Sequence, residues 1–72
     1  METTAIEDLI KQGIKDATVT VTGDGRHFEA VVISKSFADK SLIQCQRMVM
    51  ATVKTQIESD ELHALSIKTQ TP

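Results

Sequence analysis

The amino-acid sequence predicts an α+β fold in the order α-β-β-α-α-β, with a three-stranded mixed sheet packed by helices on one face. Three observations predict it. Residues 17–22, A-T-V-T-V-T, alternate with period two, the mark of a strand with one buried face. Residues 28–34, F-E-A-V-V-I-S, are richer in apolar and β-branched side chains and read as a more central strand. On either side the spacing becomes helical, with Ile6, Leu9, Ile10 and Ile14 before the strands and Leu42, Val49, Val53 and Ile57 after them.

In chain order, Thr3 or Thr4 is expected to cap the first helix, and Glu7 and Asp8 lie in its early turns, where the helix dipole favours acids. Gly13 ends it. Gly23-Asp24-Gly25 then turns the first strand into the second, with glycine supplying positive φ. From Asp39 or Ser41 to Ile57 the chain has no Gly or Pro. One helix of that length is long for so small a domain, so a break near residues 44–47 into a short and a longer helix is expected. Ser59-Asp60-Glu61 makes the next turn, residues 62–68, L-H-A-L-S-I-K, form the last strand, and residues 69–72 are a polar tail. A helical crossover of this length lets the last strand run parallel to the second, with right-handed connection. With no repeat or linker in the sequence, a single domain over residues 1–72 is expected.

Composition narrows the function classes. At 72 residues, with 40% hydrophobic and 25% charged side chains, the chain is near the lower limit for one self-sufficient core. Its only aromatic residues are Phe28 and Phe37, so the platforms on which single-stranded nucleic acid stacks are nearly absent. A net charge of -2 also argues against a strong phosphate-binding footprint. No membrane span or signal peptide is legible, and the lone Cys45 fits a reducing compartment, so a cytoplasmic protein is expected.

Few residues carry chemistry. The GDG stretch runs from strand to strand with no Lys-Ser/Thr following, unlike a phosphate loop, and a hairpin turn accounts for its glycines. His27 directly follows that turn. Strand alternation would place His63 with Leu65 and Ile67 on the core face, either as a hydrogen-bonded core or rim side chain or as a metal ligand. The two histidines with one distant cysteine match no zinc spacing, so alone they complete no closed site; reading them as half of a site whose remainder arrives on a partner needs a resemblance to support it. Cys45 reads as a small buried hydrophobe. The acidic residues are scattered and no Ser-His-Asp arrangement is legible, so an enzyme is not expected.

Three segments resemble the BolA family: R-H-F-E-A-V-V-I-S-K-S-F at 26–37, the following helical stretch with Arg47 and Val49, and L-H-A-L-S-I-K-T-Q-T-P at 62–72. The last resembles that family's carboxy-terminal signature. The resemblance implies the same element order and a fold similar to the class II KH domain. It also implies a non-enzymatic partner of a monothiol glutaredoxin in iron-sulfur cluster handling and iron homeostasis. In the bridged heterodimer of that family a [2Fe-2S] cluster is held on one side by the glutaredoxin cysteine and glutathione. On the other side it is held by the histidine of the His-Ala segment and a His or Cys of the first hairpin loop. Those positions fall on His63 and His27, and no cluster is expected in the isolated chain. Imidazole in place of thiolate raises a cluster's potential, as in Rieske centres.

Two departures from the family pattern stand out. Phe37-Ala38-Asp39 occupies the place of a frequent F-x-G, and Cys45-Gln46-Arg47 that of a frequent Arg-His-Arg, which resembles the YrbA-like or IbaG-like branch. The lost basic triplet and the missing G-x-x-G loop weaken a nucleic-acid role. A second reading remains, a KH-like nucleic-acid-binding transcriptional or stress regulator using Lys40, Arg47 and Lys54 as a positive face. A third is an interaction module in which both histidines are structural.

Overall fold

In the computed structural model, which describes residues 1–72, α1 spans Thr3–Gly13, β1 Thr18–Gly23, β2 His27–Ile33, α2 Leu42–Thr52, α3 Lys54–Glu58 and β3 Ala64–Gln70. A short 3-10 turn, Lys35–Phe37, follows β2. The predicted order is therefore found. The sheet runs β1-β2-β3, with β1 antiparallel to β2 from Thr18↔Ile33 to Gly23↔Phe28 and β3 parallel to β2 from His27↔Ala64 to Ile33↔Gln70. Period two turns Val19, Val21, Phe28, Ala30 and Val32 towards the helices and leaves Thr18, Thr20, Glu29, Ser66 and Lys68 exposed.

The core is built where the apolar periodicities meet. Ile6 and Ile10 of α1, Val49 of α2 and Val53 are fully buried against the strand side chains. Each such side chain contributes about 1.5–3 kcal/mol relative to exposure. The Glu7 carboxylate adds a directional tie, accepting the Val21 N–H at 2.9 Å and so fastening α1 along the free edge of β1. Gly13 ends α1 as expected, and it also permits a close crossing. A Cβ there would run into the Thr52 side chain of α2.

Three local expectations need correction. The first helix is not capped by a threonine side chain, because Glu2 is its N-cap and Ile6 N–H already donates to the Glu2 carbonyl, which draws Thr3 into the first turn. The helical break is not at residues 44–47. Ser41 and Gln44 form a capping box there, Gln44 N–H donating to Ser41 Oγ at 3.1 Å and Ser41 N–H to Gln44 Oε1 at 2.8 Å, so those residues open α2. The break falls at Val53, where the Thr52 hydroxyl donates to the Val49 carbonyl at 2.6 Å. Val53 N–H turns instead to the Met50 carbonyl, three residues back, and the longer helix precedes the shorter. The last strand begins at Ala64 rather than Leu62, and the expected tail contributes Thr69 and Gln70 to it.

At the end of β2 a carboxylate locks the chain. Ser34 is fully buried, its hydroxyl donating to Asp16 Oδ1 at 2.7 Å and accepting the Ser36 N–H at 3.0 Å. Ser36 Oγ also donates to Asp16 Oδ1, and Lys35 N–H donates to Asp16 Oδ2 at 3.1 Å. The Ser34 hydrogen bond, ahead of those from Ser36 and Lys35, holds the Asp16 carboxyl below its ordinary value. Beyond this turn Asp39 has φ 64°, the left-handed conformation that glycine adopts most readily and aspartate tolerates. The loop thus keeps, with an aspartate, the geometry that a glycine would otherwise supply.

Candidate metal centre

The two histidines lie at the opposite end of the sheet. β2 and β3 are parallel, so both start there, and the register pairs His27 with Ala64, the residue after His63. From the strand spacing and the residue-to-residue step, their Cα atoms are about 6 to 8 Å apart. Thirty-six positions of sequence separation are closed by one crossover. Spacing alone could not reveal that neighbourhood, because it depends on the pairing register.

Each histidine is delivered by its own device. The hairpin loop returns through Asp24 N–H, which donates to the His27 carbonyl at 3.3 Å, while Asp24 Oδ1 accepts both Arg26 N–H and His27 N–H at 2.9 Å. Of the two glycines, only Gly25 uses positive φ, at 98°. Gly23 is required for closeness: a Cβ there would stand 2.5 Å from the His27 carbonyl oxygen and from the Phe28 ring. Phe28 is buried and points inward, so His27, its neighbour, is turned to the open side of the sheet. The His27 side chain is 79% exposed.

His63 departs from its predicted place. Alternation would have set it on the core face, yet it is exposed, and the core position is taken by Leu62, whose N–H donates to the Gln56 carbonyl at 3.1 Å. That bond tucks Leu62 beneath α3 before the strand begins, which frees His63 at the rim. Asp60, at φ 62°, supplies the left-handed residue with which the chain leaves α3.

The possible donors here are therefore two exposed imidazoles on neighbouring chain segments, without a third or fourth ligand from the chain. No group of three or more His, Cys, Asp or Glu side chains comes together as a cage for a metal ion. Asp24 is the nearby acid, its Oδ2 lying 3.9 Å from His27 Nδ1. The His27 N–H, then the Arg26 N–H, lower the Asp24 carboxyl below its ordinary value, so it is an anion across the neutral range. Two neutral imidazoles suit a borderline metal or a cluster iron and leave its other positions to ligands from elsewhere. Cys45 takes no part: it is buried, with its thiol directed at the Phe37 carbonyl.

The three basic residues of the alternative reading are divided. Arg47 and Lys54 line a shallow groove between α2 and α3 whose floor is Met50, Ala51 and Ile57. Lys54 there faces Glu58 at 3.8 Å, and the Lys40 ammonium is engaged with the Ser36 carbonyl at 2.7 Å, outside the groove lining. The groove is amphipathic, with Met50 exposed in it, and Leu42 and Ile43 at the start of α2 are exposed as well.

The family profile described as BolA-like protein matches residues 3–72. The chain belongs to the BolA family. Acid stress protein IbaG of Escherichia coli K12 is 31% identical over 72 residues, covering all of this chain and 86% of that protein, which places the chain in the IbaG-like branch. Among solved structures, a bolA protein homologue from Coxiella burnetii superposes with a TM-score of 0.89 at 37% identity, over 100% of this chain and 92% of that one. Yeast Fra2 superposes with a TM-score of 0.79 at 30% identity, over 99% and 80%. No helix of this BolA protein is long and apolar enough to cross a membrane.

Proposed function

We propose that this BolA protein is a non-enzymatic, cytoplasmic partner of a monothiol glutaredoxin and that His63 and His27 co-ligate a [2Fe-2S] cluster between them. Cysteine from the glutaredoxin and the thiol of its bound glutathione would supply the other ligands. The observation that carries the reading is the β2–β3 register, which brings two exposed histidines together at one end of the sheet and gives them no further metal ligand from the chain. A half-site of neutral donors at a rim allows a cluster to be held and then passed on, as cluster trafficking or iron homeostasis requires.

Mixing the chain with a monothiol glutaredoxin, iron, sulfide and glutathione tests this directly. A mixed His-and-thiolate cluster should appear in visible absorption and circular dichroism, with a spectrum distinct from that of the glutaredoxin homodimer. His63→Ala should remove that distinct spectrum, while His27→Ala should shorten its lifetime. An unchanged, equally stable spectrum in His63→Ala would end the assignment of that ligand.

A nucleic-acid role finds less support, because Lys40 lies outside the groove that Arg47 and Lys54 share and Glu58 sits beside Lys54. Salt-sensitive DNA binding that disappears in Arg47→Ala would restore it.

A further inference from the structure

We infer that Asp24 is a positioning residue for His27: it selects the imidazole tautomer protonated at Nδ1 and so turns the Nε2 lone pair outward as the donor atom. The inference rests on the cluster-partner reading for its purpose but on the loop geometry for its substance. Asp24 holds His27 by two hydrogen bonds and approaches it at a third point. Its N–H donates to the His27 carbonyl, its Oδ1 accepts the His27 N–H, and its Oδ2 faces the ring at Nδ1. The first two fix the backbone on which the side chain stands. The third acts on the ring itself.

The chemistry of the facing atoms sets the direction. A carboxylate has only acceptors to offer, so a neutral imidazole beside it is favoured with N–H on the nearer nitrogen. That leaves the lone pair on Nε2, on the far side of the ring. Carboxylate-histidine-metal arrangements use the same logic, in which the outer acid orients the ring and makes it a better donor. At 3.9 Å the Asp24–His27 contact is longer than a hydrogen bond, and both side chains are largely exposed. A carboxylate at that distance still biases the ring by electrostatics towards the tautomer whose N–H faces it. His63 provides an internal contrast, since it has no ion-pair partner.

The two oxygens of Asp24 have separate roles, so Asp24→Asn can separate them. An asparagine keeps a carbonyl oxygen for the Arg26 and His27 N–H groups and presents an NH2 donor where Oδ2 stood. The loop is retained and the tautomer preference is reversed. With the chain labelled with 15N in its histidine rings, long-range proton–nitrogen correlation at mildly alkaline pH reads the tautomer of each imidazole in the isolated protein. The wild-type chain should show His27 mainly protonated at Nδ1 and His63 without that bias. In Asp24→Asn, His27 should shift towards the form protonated at Nε2 while the Phe28 amide and His63 stay in place. His27 indistinguishable from His63, or unmoved by the substitution, overturns the inference, as does a tautomer change that appears only with displaced Phe28 and Val21 amides.

In the reconstituted heterodimer, Asp24→Asn should speed cluster loss about tenfold, and the double variant with His27→Ala should be no worse than His27→Ala alone. A cluster as long-lived as wild type would overturn the positioning role. If the wild-type chain forms no heterodimer cluster, the ligand reading fails, and the tautomer measurement still decides what Asp24 does.

Discussion

The two ends of the sheet use the same device to opposite effect. At one end Asp16 gathers hydrogen bonds from Ser34, Lys35 and Ser36, and the buried Ser34 hydroxyl is fully engaged. At the other, Asp24 gathers those of Arg26 and His27, but its second oxygen and the two neighbouring imidazoles face solvent. Both carboxyls are held low by the backbone and side-chain donors around them. Asp16 closes a junction; Asp24 borders an exposed imidazole. A carboxylate that spends all its acceptors on the fold stabilises it, whereas one that keeps an oxygen free can act on a neighbouring ring.

The largest expected effect separates the ends by stability. Ser34→Ala should cost about 1 to 2 kcal/mol in chemical denaturation, because a fully buried hydroxyl linking Asp16 to Ser36 is lost. His27→Ala and His63→Ala should each stay within about 0.5 kcal/mol of wild type, as exposed side chains outside the core. A histidine substitution as damaging as Ser34→Ala would make that imidazole a structural element and favour the interaction-module reading.

Acid titration probes the same contrast on a finer scale. Both aspartates have depressed folded pKa values, so their contribution to stability is complete above the unfolded carboxyl value near 3.9 and is lost as pH falls through the folded one. Melting temperature should therefore show no pH dependence from this pair between about pH 5 and 8, where its contribution is complete, and should decline below about pH 4. Asp16→Asn should flatten part of the acid decline and lower stability at neutral pH, since its NH2 would face the Lys35 N–H. An acid slope unchanged by that substitution would remove Asp16 from the account.

Most of the fold was legible because the periods are local. The switch from alternation at residues 17–22 to 3.6-residue spacing around Val49 and Val53 is visible without any tertiary information. What escaped were competitions decided by single hydrogen bonds: Thr52 taking the Val49 carbonyl, and Leu62 bonding Gln56 before the last strand starts. The second of these moved His63 from the predicted core face to the rim. Both histidines were legible as candidates through family resemblance, but their proximity follows from parallel register, and the role of Asp24 from a turn whose side-chain bonds sequence does not display. The two unusual left-handed residues, Asp39 and Asp60, were also hidden, although the missing glycine of the F-x-G pattern marks the first. The smallest predicted effect lies there. Asp39→Gly should stabilise the fold by less than about 1 kcal/mol, relief of strain at φ 64° being partly offset by the greater freedom of an unfolded glycine. A clear loss of stability would mean that the aspartate side chain itself holds the loop.

The most direct test of the split site is pulsed electron paramagnetic resonance of the reduced heterodimer cluster, with the histidines of this chain alone carrying 15N. Two distinct nitrogen couplings are predicted, one lost in His63→Ala and the other in His27→Ala. A cluster with no 15N coupling, or with couplings that survive both substitutions, would contradict ligation by this pair.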